Sequence, residues 1–204
     1  MPTQVPEVSA AAQLRTILDS HDAQRIFLVT GKDSFLSSGA VELISTACTG
    51  CVVERFSSFS VNPECTAVNQ GIALCRSFCP DLIVAVGGGS VMDMAKLIAV
   101  ALTSVQDDIA AILTVDRISR ESPLVAMPTT AGSGSEATQF AVLYIDGSKY
   151  SVDAPALLPD HVILDASLTL SASSYQSALS GVDALCQARS EEHTSELQSR
   201  FDIV

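Results

Sequence analysis

The chain is short of positive charge. Eleven Lys and Arg stand against 23 Asp and Glu in 204 residues, a formal net charge of −12. Nucleic acid is therefore not an expected partner, because a phosphate backbone is held by a basic surface that displaces counterions. The opening residues "MPTQVPEVSA" have neither a basic start nor an apolar stretch, so no secretory signal is expected here. No uninterrupted run of about 18 apolar residues occurs, so no membrane-spanning helix is expected either.

Histidine is equally scarce: His21, His161 and His193 are all there are. His21 precedes the first apolar run and reads as a solvated surface residue. His161 opens a later strand and reads as structural, and neither stands in a metal motif. Six cysteines include Cys48 and Cys51 as CxxC and Cys75 and Cys79 as CxxxC, but neither pair lies in a zinc knuckle. They read as reduced thiols of a cytoplasmic protein.

What is present is apolar. With 48% apolar and 17% charged residues, the chain can bury a sizeable core. Its length suits one domain, or one domain and the start of another. "RIFLVT" (25–30), "CVVERFSSF" (51–59) and "DLIVAV" (81–86) read as strands, the last bounded by Pro80 and Gly87. Between and after them, 34–47, 62–78 and 90–103 have helical spacing, and Asn62 and Pro63 suit an N-cap and a first helical position. Strand and helix thus alternate three times in about 80 residues. That pattern specifies an α/β fold with a mostly parallel sheet and helices on both faces. Further on, 124–130 reads as a strand, 137–146 as a strand or hairpin arm, and 161–166 as a last strand. From Ser171 the spacing turns helical, with Tyr175, Ala178, Leu179, Val182, Leu185 and Cys186 in step.

Two stretches carry chemistry. In "VAVGGGSVMDMAK" (84–96) a strand ends in Gly87, Gly88 and Gly89 and a helix begins at once. Glycine admits a ligand close to the backbone, and the helix N-terminus offers free N–H groups and a positive dipole end, so a phosphate is the natural guest. No Gly-Lys-Ser/Thr closes the loop as in a Walker sequence, and Met92 stands where the common dinucleotide fingerprint has its third glycine. The bland reading is a tight turn with Ser90 as N-cap. In "MPTTAGSGSEAT" (127–138) a second strand runs into a hydroxyl-rich loop. Thr129, Thr130, Ser133 and Ser135 can donate to phosphate or ribose oxygens, and Gly132 and Gly134 permit close approach. Two such loops after two buried strands fit a ligand site at the carboxyl ends of a parallel sheet.

These two stretches resemble the nucleotide-loop signatures of the iron-containing (group III) alcohol dehydrogenase family, which has a dehydroquinate-synthase-like fold. "KYSVDAPALLPDHVILDASLTLS" (149–171) resembles the segment that follows them, and "GVDALCQA" (181–188) the start of the first metal-bearing helix. The resemblance runs in order from about residue 20 to 188. It implies a Rossmann-like nucleotide-binding domain over 1–170 and the start of an otherwise missing all-helical metal-binding domain over 171–188. It implies NAD or NADP with a divalent metal (Fe or Zn), and hydride transfer between a primary alcohol and its aldehyde. It also implies a homodimer or larger form of the full-length protein. Gly87, Gly88, Gly89, Ser90 and Asp93 would line the pyrophosphate, and Lys96 would help position that loop. Thr129, Thr130 and Ser133 would meet the nicotinamide ribose side. Gly31 at the end of the first strand leaves room at the adenosine end, where Lys32 could meet a 2′-phosphate.

The family's metal helix reads Asp, three residues, then His. Here Asp183 is matched but Gln187 replaces the histidine, a weaker ligand for iron or zinc than imidazole. Gln at this position resembles reductases acting on phosphonoacetaldehyde, a narrower reading of the substrate. The residues also admit a sugar- or polyol-type relative of the same superfamily, and a non-catalytic nucleotide-binding module. After Ala188, "RSEEHTSELQS" departs from the family and resembles a translated sequencing adapter, so 189–204 is expected to be a non-native tail and the gene to be cut inside the metal helix.

Overall fold

The computed structural model describes residues 8–104, 106–113 and 118–201, with side chains as far as Arg189. Its frame is a five-stranded, wholly parallel sheet of β1 (Arg25–Thr30), β2 (Val52–Phe56), β3 (Leu82–Gly87), β4 (Leu124–Pro128) and β7 (His161–Val162), in the order β2-β1-β3-β4-β7. The central strands are apolar at nearly every position because both faces are covered.

Strand alternation sends Ile26, Leu28, Leu82, Val84, Val86, Val125 and Met127 to one face. There they meet α1 (Ala10–Ser20), α2 (Asp33–Ser37) and α3 (Ala40–Ala47). Phe27, Val29, Ile83, Ala85, Leu124 and Ala126 go to the other, against α4 (Cys65–Phe78), α5 (Gly89–Ala101) and the short α6 (Ile109–Ile112). The same core takes in the antiparallel hairpin of β5 (Phe140–Ile145) and β6 (Ser148–Asp153), which lies against α5. A last helix, α7 (Ser174–Phe201), leaves the sheet. Among the described residues no helix is long and apolar enough to cross a membrane.

The chain runs from β1 outward to β2, then returns across β1 to β3, so the direction of winding reverses between β1 and β3. The register pairs Thr30 with Val86 and Gly87 with Pro128. The loops that leave β1, β3 and β4 therefore emerge side by side at the carboxyl edge, where open α/β sheets bind their ligands.

Several boundaries differ from those the spacing predicts. The helix expected over 34–47 is two helices, because Gly39 takes a left-handed conformation between them. The helix expected from Asn62 starts at Cys65. Asn62 is itself left-handed and its N–H donates to Ser90 Oγ (3.2 Å), while the Pro63 carbonyl accepts from Tyr144 N (2.8 Å). A carbonyl committed to another strand cannot open a helix, and the first helical bond comes from Val68 N to Glu64 O. The strand expected over 161–166 is two residues long, since Asp165 turns the chain by accepting from Ser167 N (2.9 Å). The 137–146 stretch is the first arm of the β5–β6 hairpin. Asp146 and Gly147, both at positive φ, close it as a two-residue Asp-Gly turn. His21 is exposed, as the sequence suggests, and its Nε2 lies 3.2 Å from Nε2 of His161.

Candidate nucleotide cleft

β3 ends on Gly87, and α5 begins two residues later. Gly88 at the N-cap position is extended (φ −84, ψ −173), and no side chain caps the helix. Ser90, read as a cap from the sequence, lies inside the first turn with its hydroxyl accepting from Asn62 N. The first N–H groups of this 13-residue helix thus face the carboxyl edge without a side-chain partner.

A cleft of about 600 Å³ opens over them, within the usual range for small-molecule sites. Gly88, Gly89 and Ser90 form its floor, Thr129 and Thr130 one wall, and Gly31, Lys32, Asp33 and Ser34 the opposite wall. Six expected cofactor residues are thereby brought together: Gly31, Gly88, Gly89, Ser90, Thr129 and Thr130. The walls are close. A Cβ on Gly88 would stand 3.1 Å from Thr130 Oγ1, and one on Gly89 3.3 Å from Ser133 Oγ. Thr129 is buried and its N–H donates to the Gly87 carbonyl (2.9 Å), which extends the β3–β4 ladder into the loop.

Four expected cofactor residues stand elsewhere. Gly87 is still in the strand, where a Cβ would meet Val91 Cγ2 at 2.5 Å, so it serves strand-to-helix packing. Ser133 packs behind Gly89, outside the cleft lining. Asp93 is not among the residues that line the cleft. One carboxylate oxygen accepts from Ser135 Oγ (2.8 Å) and the other from Val142 N (3.2 Å), so the Ser135 hydroxyl, expected to face a phosphate or ribose, is buried and lies outside the cleft lining. Lys96, fully buried, does not reach the glycine loop. Its ammonium donates to the carbonyls of Thr138 (2.8 Å) and Phe140 (2.7 Å) and to Ser135 Oγ (3.2 Å). Both side chains leave α5 on the face toward the second loop and the hairpin, so they hold that loop from beneath. Burial pushes the Asp93 carboxyl up and the Lys96 ammonium down, the latter to about 8.

Residues not expected from the sequence complete the cleft: Phe59, Ser60 and Val61 after β2, and Ser171, Ser173 and Gln176 at the approach to α7. Their only local signal is the hydroxyl-rich runs "SSFS" and "SASS".

Asp183 and Gln187 lie one turn apart on α7, both exposed, with Gln187 Nε2 donating to Asp183 Oδ1 (3.2 Å). Among the described residues no group of three or more His, Cys, Asp or Glu could hold a metal ion. The donors present do not fit an iron or zinc centre, which takes four or more well-placed ligands. His193 and Glu196 of the tail, whose residue types could mimic a ligand pair, have side chains outside the described residues.

A parallel sheet with its cleft at the reversal of winding, floored by a glycine turn and a helix N-terminus, is a Rossmann-like α/β architecture. The family model for iron-containing alcohol dehydrogenase matches residues 2–166, and the chain belongs to that family. It is 33% identical over 199 residues to the bifunctional aldehyde-alcohol dehydrogenase AdhE of Escherichia coli (strain K12), covering 91% of this chain and 22% of that protein. It is 32% identical to the 4-hydroxybutyrate dehydrogenase of Cupriavidus necator, over 88% of this chain and 48% of that one. Among solved structures it is similar to sulfoacetaldehyde reductase from Bifidobacterium kashiwanohense in complex with NAD+, with a TM-score of 0.81 at 33% identity over 89% of this chain and 49% of that one. The chain therefore spans about a fifth of the first of these relatives and about half of the other two.

Proposed function

We propose that this chain is the nucleotide-binding portion of an NAD(P)-dependent oxidoreductase that interconverts a primary alcohol and its aldehyde. The observation that carries the reading is the helix N-terminus at Gly88–Ser90, uncapped by any side chain, facing a cleft walled by Thr129 and Thr130. A pyrophosphate suits that floor, since N–H donors and the helix dipole converge there and no Cβ intrudes. Thr129 and Thr130 would meet the nicotinamide ribose, with Ser133 behind them. Gly31 and Lys32 would flank the adenosine ribose. Asp93 and Lys96 act on the loop rather than on the cofactor. When bound, the dinucleotide supplies the hydride acceptor or donor; the residues of this chain bind and orient it.

The same reading divides the chain into a cofactor domain over 1–170, the start of a helical metal-binding part over 171–188, and a non-native tail over 189–204. No step is assigned to a metal, because the described donors do not fit one. The cytoplasmic reading is supported by six cysteines that all stand unpaired. A small anionic aldehyde is the narrower substrate reading. Support comes from Gln187 and from the similarity to a sulfoacetaldehyde reductase.

Gly88→Val tests the cofactor assignment. Its branched side chain would fill the floor beneath Thr130 and weaken NADH binding several-fold or more by steric exclusion. An unchanged NADH titration in a folded Gly88→Val chain would remove the assignment.

A further inference from the structure

Gly132 lies in the second loop, three residues after Thr129 and one before Ser133. The sequence suggests that it makes room for a ligand, but it makes room for backbone. A Cβ built on Gly132 would stand 2.3 Å from the carbonyl oxygen of Ser180, 2.9 Å from its carbonyl carbon and 3.1 Å from its Cα. None of these atoms can yield as the end of a side chain would. The residue also sits at φ +142, where side chains are rarely found. Ser180 is in α7, one turn before Asp183. Gly134, two residues on, also has positive φ (+61), yet nothing lies within 4 Å of its Cβ position.

From these contacts we infer that Gly132 is a positioning residue that seats α7 against the cofactor loop. The loop is held on three sides. Thr130 and Ser133 abut Gly88 and Gly89, Lys96 and Asp93 tie Ser135 and Thr138 from beneath, and Gly132 receives the Ser180 backbone. Because the loop is pinned to α5, its contact with Ser180 fixes where α7 leaves the sheet. It thereby fixes where Ser173 and Gln176 close the cleft and where Asp183 stands relative to it. Coupling between cofactor and α7 rests on the proposed cofactor site; the seating of α7 by Gly132 does not.

The test uses the 204-residue chain with spin labels on Cys79 and Cys186, the two exposed cysteines, and with Cys51 and Cys65 replaced by Ser. One narrow distance is expected in this parent. Gly134→Ala, which adds a methyl group at positive φ without a neighbour, should keep that distance. Gly132→Ala should shift or broaden it and weaken NADH binding several-fold. An unchanged distance in folded Gly132→Ala would overturn the proposal. So would a broad distribution in the parent, which decides the matter even if Gly132→Ala does not fold. NADH titration of the same samples keeps the two readings apart: a parent that binds no NADH sinks the cofactor assignment, while the distances still judge Gly132.

Discussion

Replacing Lys96 by Met should change how stability depends on pH, and the size of the change follows from the burial of one ammonium. Lys96 is 0% exposed, and its ordinary pKa of 10.5 is lowered to about 8, chiefly by desolvation, against the opposing pull of Asp93 and Glu136. A lysine whose folded pKa lies below its unfolded value binds its proton more readily in the unfolded chain. Its contribution to stability is therefore complete above about 10.5 and is lost as pH falls toward 8. At 1.36 kcal/mol per pH unit the gap amounts to about 3 kcal/mol. Methionine fills similar space without charge or donor, leaving the Thr138 and Phe140 carbonyls unpaired at about 1–3 kcal/mol each. Near pH 7 that loss is largely offset by relief of the buried charge, so the variant differs little from the parent. At pH 10 the offset is gone and the full loss appears. Burial works the other way on Cys48 and Cys75, pushed up to about 11 and 12, so both chains lose stability through these thiols as pH rises past 9. The difference between parent and Lys96→Met cancels that background. Urea unfolding at pH 7.5, 9 and 10 should show the destabilisation by Lys96→Met growing by roughly 2–3 kcal/mol across the series. A destabilisation that stays level with pH would refute the argument.

The cleft and the helix contacts set further outcomes. Beyond β1, Gly31 leaves room and Lys32 could meet a 2′-phosphate, with Asp33 the next residue in the same cleft wall, so NADPH should bind with at most modest disadvantage. A preference for NADH beyond about 100-fold, roughly 2.7 kcal/mol, in competitive titration would contradict this. Gly71 is where α4 crosses α5: a Cβ there would lie 2.5 Å from Ile98 Cδ1 and 2.8 Å from Phe56 Cε1. Gly71→Val should overpack this contact and lower stability by about 2 kcal/mol in urea titration, and an unmoved midpoint would show that the helices can part freely. Asp183 and Gln187 offer two weak oxygen donors, so the 204-residue chain should keep far less than one equivalent of Fe or Zn after dialysis. Elemental analysis showing close to one equivalent would reveal ligands beyond these two.

The sheet is readable in the sequence because its strands announce themselves locally. "RIFLVT", "DLIVAV" and "LVAMP" are buried on both faces, so each is apolar almost throughout and needs no partner to be recognised. The glycine loop is readable for a related reason: a phosphate cradle is built from backbone at one strand-to-helix junction, and glycines spell it in the chain. Direction is not readable. Asp93 and Lys96 stand on a helix that touches the sheet on one side and a hairpin on another. Which side receives them depends on residues about 40 or more positions away, Ser135, Thr138 and Val142. The start of α4 is hidden by the same cause, since the Pro63 carbonyl is claimed by Tyr144 across the fold. The His21–His161 contact joins residues 140 positions apart. Gly132 carries the clearest case. Its sequence neighbours suggest room for a ligand, but a missing side chain cannot state what occupies the space, and only the path of α7 past Ser180 decides that it is backbone.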